Sequence, residues 1–470
     1  MNKYYYITTT LPYVNAKPHI GFAMELVRTD VLARFHKKLG QEVIFNTGTD
    51  EHGQKIYQQA LAAKKAPQEY CDYYAAQFAR LKKALNISYN RFIRTTDTQH
   101  INAAQEFWRR VAANGDIYKA KYEINYCVGC ELEKTDSELV DGKCPLHPNQ
   151  KLEKIAEENY FFRFSKYQKP LLDFYEKNPD FLLPDFRFQE IKNFVKAGLK
   201  DFSISRLKAK MPWGISVPDD PDHVMYVWFD ALINYISTLG WPKDEENFKK
   251  FWPGVQVAGK DNLRQQTAMW QAMLMAAGLP NSKKIYIEGF ITAEGQKMSK
   301  SLGNVIDPFF LVDKFGTDAV RYYLLKEIPS FEDGDYSQKR MLEIYNADLA
   351  NELGNLVLRL TTLAQKNNLV ISSPKDQTES DRTIHAIDNF QFNLLLEEIW
   401  QEIKKLNKKI DEFAPWSQEE KEQKIFLTQA LEKLNLIGQR LQPFLPETAG
   451  KIDQATSGKI QKISPLFPRL

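Results

Sequence analysis

Short apolar runs rich in β-formers alternate with longer helical patterns from the N-terminus to about residue 118, and this alternation restricts the fold more than any other feature. Tyr4 to Thr10 reads as a strand, Ile20 to Lys38 as an amphipathic helix, Glu42 to Asn46 as a strand and Gln54 to Lys64 as a helix. Such succession implies a parallel, doubly wound α/β sheet of Rossmann type. The rhythm breaks between about residues 119 and 215, where cysteines cluster and Pro- and aromatic-rich segments gather. It resumes with His223 to Phe229, Gly254 to Ala258 and Lys284 to Glu288, each expected as a strand. An insertion thus splits one sheet into two halves. Ligands of such sheets bind at the carboxyl ends of the strands, where His19, Asp50, Trp228, Asp261 and Lys297 are expected to fall.

Beyond about residue 340 the strand signals vanish. Tyr345, Leu349, Leu353, Leu356, Leu360 and Leu363 step by four and three, as do Phe392, Leu395, Ile399, Ile403, Leu406 and Ile410. Leu427, Leu431, Leu434, Ile437 and Leu441 repeat the stripe with one shorter step, so a helical bundle follows. Ser372 to Ser380 reads as a polar turn between two of its helices. A chain of 470 residues is too long for one ordinary core, and four segments are expected: 1–118, 119–215, 216–340 and 341–470.

Bulk properties exclude more than they assign. With 63 basic and 60 acidic side chains the net charge is only +3, so any nucleic-acid surface must be a local patch. No uninterrupted apolar run reaches the ~20 residues that cross a bilayer, and Met1 to Ile7 reads as a strand rather than a signal peptide. A cytoplasmic protein is expected. The cysteines are Cys71, Cys127, Cys130 and Cys144, too few for a disulfide scaffold. Cys127-x-x-Cys130 and Cys144-x-x-His147 supply four soft ligands in two knuckles, the set for one structural, tetrahedral zinc.

Two loops carry phosphate chemistry. Lys297-Met298-Ser299-Lys300-Ser301 places two mobile ammonium groups around a hydroxyl-rich turn, suited to following charge onto departing phosphates. Far upstream, Pro18-His19-Ile20-Gly21-Phe22 sits between the first strand and the first helix, where a glycine allows close backbone approach and a helix N-terminus favours an anion. In this order and at this separation they resemble the two signature motifs of class I aminoacyl-tRNA synthetases, usually written HIGH and KMSKS. The first departs from the pattern, because Phe22 stands where a second histidine would donate a hydrogen bond to the transferring phosphate.

Further segments narrow the resemblance to the methionyl-tRNA synthetases. Gly48-Thr49-Asp50-Glu51-His52-Gly53 and Tyr226-Val227-Trp228-Phe229-Asp230-Ala231-Leu232, followed by Tyr235, are similar to that family's amino-acid pocket. There Asp50 would hold the substrate ammonium, while Leu11, Tyr13, Trp228, Ala231 and Tyr235 would wall a slot for an unbranched thioether. Asp50 capping a turn is the plainer alternative. The family's Phe-His pair is replaced by Gln265 and Gln266, and Gln266 keeps a donor and an acceptor for substrate recognition.

The resemblance implies further roles. His19, Gly21, Phe22, Glu25, Gly259, Asp261 and Lys300 would contact ATP, Asp261 through a ribose hydroxyl. His19, Lys297 and Lys300 would act catalytically, with Lys300 meeting the transition state. Asn355, Arg359 and Trp416 match the anticodon-contact positions, Trp416 as a stacking platform rather than a buried helix cap. The implied activity joins methionine to tRNA(Met) with ATP, magnesium accompanying the nucleotide. The four segments become two halves of a catalytic domain, a zinc-bearing connective insertion and an anticodon-binding bundle. No appended dimerising module is expected, hence a monomer. Two rivals differ in kind. One is a class I enzyme for leucine, isoleucine, valine or cysteine, disfavoured by an insertion too short for an editing domain. The other is a non-enzymatic tRNA-binding relative, motivated by Phe22 and Gln265-Gln266.

Overall fold

The computed structural model describes residues 3–134, 138–296, 298, 303–372 and 378–470. They form two compact units, one of residues Met1–Lys17, Glu42–Arg80 and Tyr89–Ile287, the other of Pro18–Gln41, Leu81–Ser88 and Glu288–Leu470.

The first unit is built on strands β1 (Tyr4–Thr8), β2 (Glu42–Thr49) and β3 (Arg91–Arg94), joined by Val255–Gly259, Lys284–Glu288 and Leu182–Leu183 in the order β3, β2, β1, Val255–Gly259, Lys284–Glu288, Leu182–Leu183. β1 pairs in parallel with β2 on one side and with Val255–Gly259 on the other, which makes its carboxyl end the switch point of a doubly wound sheet. Helices α2 (Gln54–Ala62), α3 (Pro67–Ala84) and α4 (Thr98–Ala113) connect or flank these strands. α4 buries Ala103, Ala104, Phe107, Trp108 and Val111 in a core shared with Phe229, Trp241 and Trp270. Within the insertion, strands Ile117–Cys127 and Glu153–Phe162 form a long antiparallel pair flanked by Leu132–Lys134 and Phe202–Ser203.

One expected strand is placed differently. His223 to Phe229 is not a single strand of the parallel sheet. Asp220–Met225 belongs to a separate antiparallel sheet between Ser216–Val217 and Ser205–Leu207, and Val227–Ala231 is helical. Trp228 therefore sits on a helix. A short apolar run buried on all sides carries no period that separates strand from helix, and here the extended backbone of Tyr226 (φ −72°, ψ 140°) starts a helical turn. Two helical stretches, Gln265–Met269 and Tyr345–Gly354, are wound as π-helix.

In the second unit, α1 (Ile20–Lys38) departs from the expected amphipathic pattern, being buried on nearly every face. Several of its buried polar residues bond within the unit, although Arg28 Nε has no partner among the described residues. The buried Arg28 guanidinium donates to Glu288 Oε1 at 3.3 Å and to the carbonyls of Ile328 and Pro329, each at 2.8 Å. Asp30 accepts from Ser88 and pairs with Arg321 at 2.8 Å. The bundle stripes are buried except for Leu363, which is half-buried, and the first of them begins in the π-helical stretch Tyr345–Gly354. Leu349, Leu353, Leu356 and Leu360 are buried, as are Phe392, Leu395, Ile399, Ile403, Leu406, Ile410 and the five residues of the third stripe. The bundle is not wholly free of strands, because Val370–Ile371 pairs antiparallel with Gly458–Lys459. The polar stretch Ser372 to Ser380 lies partly outside the described residues. No helix among those residues is long and apolar enough to cross a membrane.

Candidate functional site

The amino-acid pocket expected from the sequence converges in the first unit. Leu11 and Tyr13 follow β1, and Asp50 follows β2. Asp50 N–H donates to the Pro12 carbonyl at 3.0 Å and Val14 N–H donates to the Asp50 carbonyl at 3.2 Å, which clamps Tyr13 and Asp50 side by side. Tyr13 and Trp228 both pack against the buried cluster of Tyr126, Tyr226 and Val227. Asp50 Oδ1, the Tyr13 hydroxyl and Trp228 Nε1 are buried atoms with no hydrogen-bond partner among the described residues. Orphaned buried polar atoms are costly and call for an explanation, and these are the groups a polar ligand would satisfy. Burial, followed by the neighbouring carboxylates of Asp230 and Glu131, raises the Asp50 carboxyl well above its ordinary range. A bound ammonium would reverse that shift.

Ala231 and Tyr235 are buried alongside Trp228. The Tyr235 hydroxyl accepts from Gln266 Nε2 at 2.6 Å, and Gln266 Oε1 accepts from Gln256 Nε2 at 3.0 Å. Both amide functions of Gln266 are thus engaged, whereas the buried Gln265 Oε1 has no partner among the described residues.

Sequence reasoning passed over a buried network centred on Asp230. His52 Nδ1 and His100 Nε2 each lie 2.7 Å from a different oxygen of the fully buried Asp230, and His100 Nδ1 is 2.9 Å from Ser237 Oγ. Glu51, next to Asp50, is by contrast structural, its carboxylate held at both oxygens by Arg94 at 2.6 and 2.9 Å. Glu131, beside a knuckle cysteine, caps α2, which has no side-chain cap of its own: Lys55 N–H donates to Glu131 Oε1 at 2.8 Å. A proximity signal of this kind is absent from spacing, since the partners lie far apart in the chain.

The phosphate-motif residues are distributed over both units. His19 is the N-cap of α1, its Nδ1 accepting from Gly21 N–H at 3.1 Å. A side chain at Gly21 would place Cβ 2.9 Å from the His19 ring, so only glycine lets the imidazole fold over the helix start. Phe22 and Glu25 are buried on the same helix. Gly259 ends its strand and caps the short turn Lys260–Asn262, which presents Asp261 at the surface. Lys297 and Lys300 lie outside the described residues.

The knuckle assembles. The ligand atoms of Cys127, Cys130, Cys144 and His147 all lie within 4.8 Å of one another. Cys130 Sγ is 3.5 Å from Cys144 Sγ and 3.2 Å from His147 Nδ1, and Cys127 Sγ is 3.8 Å from the same nitrogen. A tetrahedron with Zn–S bonds of ~2.3 Å has edges of about 3.6 to 3.8 Å, so the donor set fits zinc. In the bundle, Asn355 and Arg359 share the helix Asn355–Lys366. Ala414, left-handed at φ 48°, ends the helix Phe392–Phe413 and turns Trp416 outward, leaving it 59% exposed rather than buried as a cap. Arg359 pairs with Asp411 at 2.7 Å, and its guanidinium carbon is 6.0 Å from the Trp416 ring centre. Arg359 and Trp416 line a groove of about 280 Å³ with Leu358, Thr362, Leu363 and Lys462.

Comparison with known proteins agrees with this geometry. The family model described as tRNA synthetases class I (M) matches residues 5–154 and 148–361. A methionine–tRNA ligase of Caldanaerobacter subterraneus is 44% identical over 472 residues, covering 96% of this chain and 74% of the relative. One of Nostoc is 43% identical, covering 96% of this chain and 89% of that protein. The structure of Mycobacterium tuberculosis methionyl-tRNA synthetase in complex with methionyl-adenylate is similar at a TM-score of 0.92 and 39% identity, over 99% of this chain and 100% of that one. The chain belongs to the class I tRNA synthetases, in their methionyl branch.

Proposed function

We propose that this protein is a methionine–tRNA ligase, which activates L-methionine with ATP to methionyl-adenylate and transfers the aminoacyl group to the 3′ end of tRNA(Met). The observation that carries the substrate assignment is the trio of orphaned buried polar atoms on Asp50, Tyr13 and Trp228. Asp50 takes the ammonium, and Leu11, Ala231, Tyr235 and Gln266 shape the slot for the thioether. The methionine carboxylate attacks the α-phosphorus in line, the α–β bridging bond breaks, and pyrophosphate leaves with the electron pair. A ribose hydroxyl of the terminal adenosine then attacks the methionyl carbonyl and AMP departs. No side chain serves as nucleophile, so positioning and charge stabilisation carry the rate.

His19 and the backbone at Gly21 receive phosphate oxygens at the start of α1, Phe22 and Glu25 flank the adenosine, Gly259 permits close approach and Asp261 takes the ribose. Lys297 and Lys300 meet the charge that develops on the leaving pyrophosphate, with Lys300 foremost. Magnesium bound with ATP supplies further neutralisation of the triphosphate. Cys127, Cys130, Cys144 and His147 hold one structural zinc. Asn355, Arg359 and Trp416 read the anticodon. We assign the protein to the cytosol as a monomer, with segments 1–118 and 216–340 catalytic, 119–215 connective and 341–470 anticodon-binding. Methionine-dependent exchange of labelled pyrophosphate into ATP tests the activity. Exchange with methionine and not with leucine, isoleucine, valine or cysteine is expected, and absence of exchange with intact tRNA binding would overturn it.

A further inference from the structure

One buried charged group has no part in the reaction as derived. Asp230 lies on the short helix Val227–Ala231, between the pocket residues Trp228 and Ala231, and its carboxylate is completely buried. Both oxygens are engaged by imidazoles from other elements: His52, two residues beyond Asp50, and His100, at the start of α4. We propose that Asp230 is a positioning residue for methionine recognition, locking the Asp50 loop to the helix that carries Trp228 and Ala231 and adding a second buried negative charge behind the ammonium site. This rests on the reading of that pocket given above.

An ionised carboxylate only accepts hydrogen bonds, so each ring must present an N–H to it, and both rings are thereby fixed in orientation. His52 is pinned on its other side by the Trp213 ring, 5.4 Å away between centres. Trp213 also bonds the loop itself, donating from Nε1 to the Glu51 carbonyl at 2.5 Å. His100 is tied to Ser237. The loop bearing Asp50, the helix α4 and the segment 227–237 thus meet at one carboxylate. Burial would push the Asp230 carboxyl up, but the charges and N–H donors of His52 and His100 outweigh it and hold the group below its usual range, so it is anionic when the substrate arrives. Of the carboxylates that raise the Asp50 carboxyl, Asp230 acts more strongly than Glu131 or the neighbouring Glu51. Burial raises the Glu131 carboxyl, which Tyr126, Lys55 and Arg206 only partly offset, and Glu51 is paired with Arg94. Asp230 is held by the two imidazoles at 2.7 Å each, and its charge acts on Asp50.

Methionine binding by tryptophan fluorescence, across the mildly acidic to neutral range, tests this in the whole zinc-loaded chain. Asp230→Asn should raise the methionine Kd about tenfold at neutral pH, the order expected for one lost charge contact, and leave ATP affinity unchanged. It should also move the acid limb of methionine binding to lower pH, because Asp50 ionises more readily without its anionic neighbour. A purely structural role would not move that limb. An unchanged Kd, or a raised Kd with an unmoved limb, overturns the proposal. If Asp230→Asn does not fold, His52→Gln must raise the Kd severalfold with ATP affinity retained, and an unchanged Kd overturns it equally. Asp50→Asn separates the two levels. If it leaves methionine binding intact, the pocket reading itself is wrong. If it abolishes binding while Asp230→Asn does nothing, only the positioning role falls.

Discussion

Asp50 holds a desolvated carboxylate with one oxygen orphaned, so its ionised form costs the ligand-free protein stability. Its folded pKa is raised. Below the ordinary aspartate pKa the group is protonated in both states and the cost is absent; as pH rises from there toward the folded value, the unfolded chain releases its proton first and stability falls. Asp50→Asn should therefore raise the Tm of the free protein at neutral pH, and abolish the further rise that methionine gives to wild type. It should also weaken methionine binding by about 2 to 5 kcal/mol, the scale of truncating a buried charge partner. Thermal melts with and without methionine check both, and a methionine shift surviving in the variant would remove Asp50 from the site. Phe22 makes a second residue-level test. It is only 9% exposed, so Phe22→His buries an imidazole in an apolar setting and should cost about 1 to 3 kcal/mol of stability with little gain in pyrophosphate exchange. A rise of a hundredfold or more, the worth of one restored donor, would instead mark the natural site as impaired.

Elements were legible in the sequence where period and punctuation were local. The helix Ile20–Lys38 and the strand Lys284–Glu288 have the bounds expected for them. The run around Trp228 was not legible, because the six consecutive apolar and aromatic positions from Val224 to Phe229 fit strand and helix alike. The π-helical turns at Gln265–Met269 and Tyr345–Gly354 have no residue signature distinct from α-helix. The knuckle was legible through ligand spacing, but its dependence on Gly129 was not: a Cβ there would stand 2.5 Å from the His147 ring. Cys144→Ser should lower zinc content below one equivalent and speed amide exchange in Ile117–Cys127 and Glu153–Phe162 while the parallel sheet stays protected, since a closed metal site acts through folding. Metal analysis with hydrogen exchange decides it. Full protection in the variant would show the insertion to fold without metal.

On the scale of the whole molecule, activation and tRNA selection should be separable. Trp416 presents an exposed indole beside Arg359, and stacking of one base on such a platform is worth about 1 to 3 kcal/mol. Trp416→Ala should lower kcat/KM for charging tRNA with a CAU anticodon and erode discrimination against other anticodons, yet leave pyrophosphate exchange near wild type. Charging at the wild-type rate would return Trp416 to a role in packing. What the sequence by itself determined are the features each encoded within a short stretch: the two phosphate motifs, the four-ligand knuckle, the bundle stripes and the family to which they point. Tertiary structure alone decided which distant groups meet. Asp230 grips His52 and His100 across 178 and 130 positions of chain, Arg28 buries its charge among the carbonyls of residues 328–330, and a left-handed Ala414 turns Trp416 to solvent. Periodicity reports the face a residue occupies, whereas its partner depends on which faces are brought together when buried charge and apolar surface are satisfied at once.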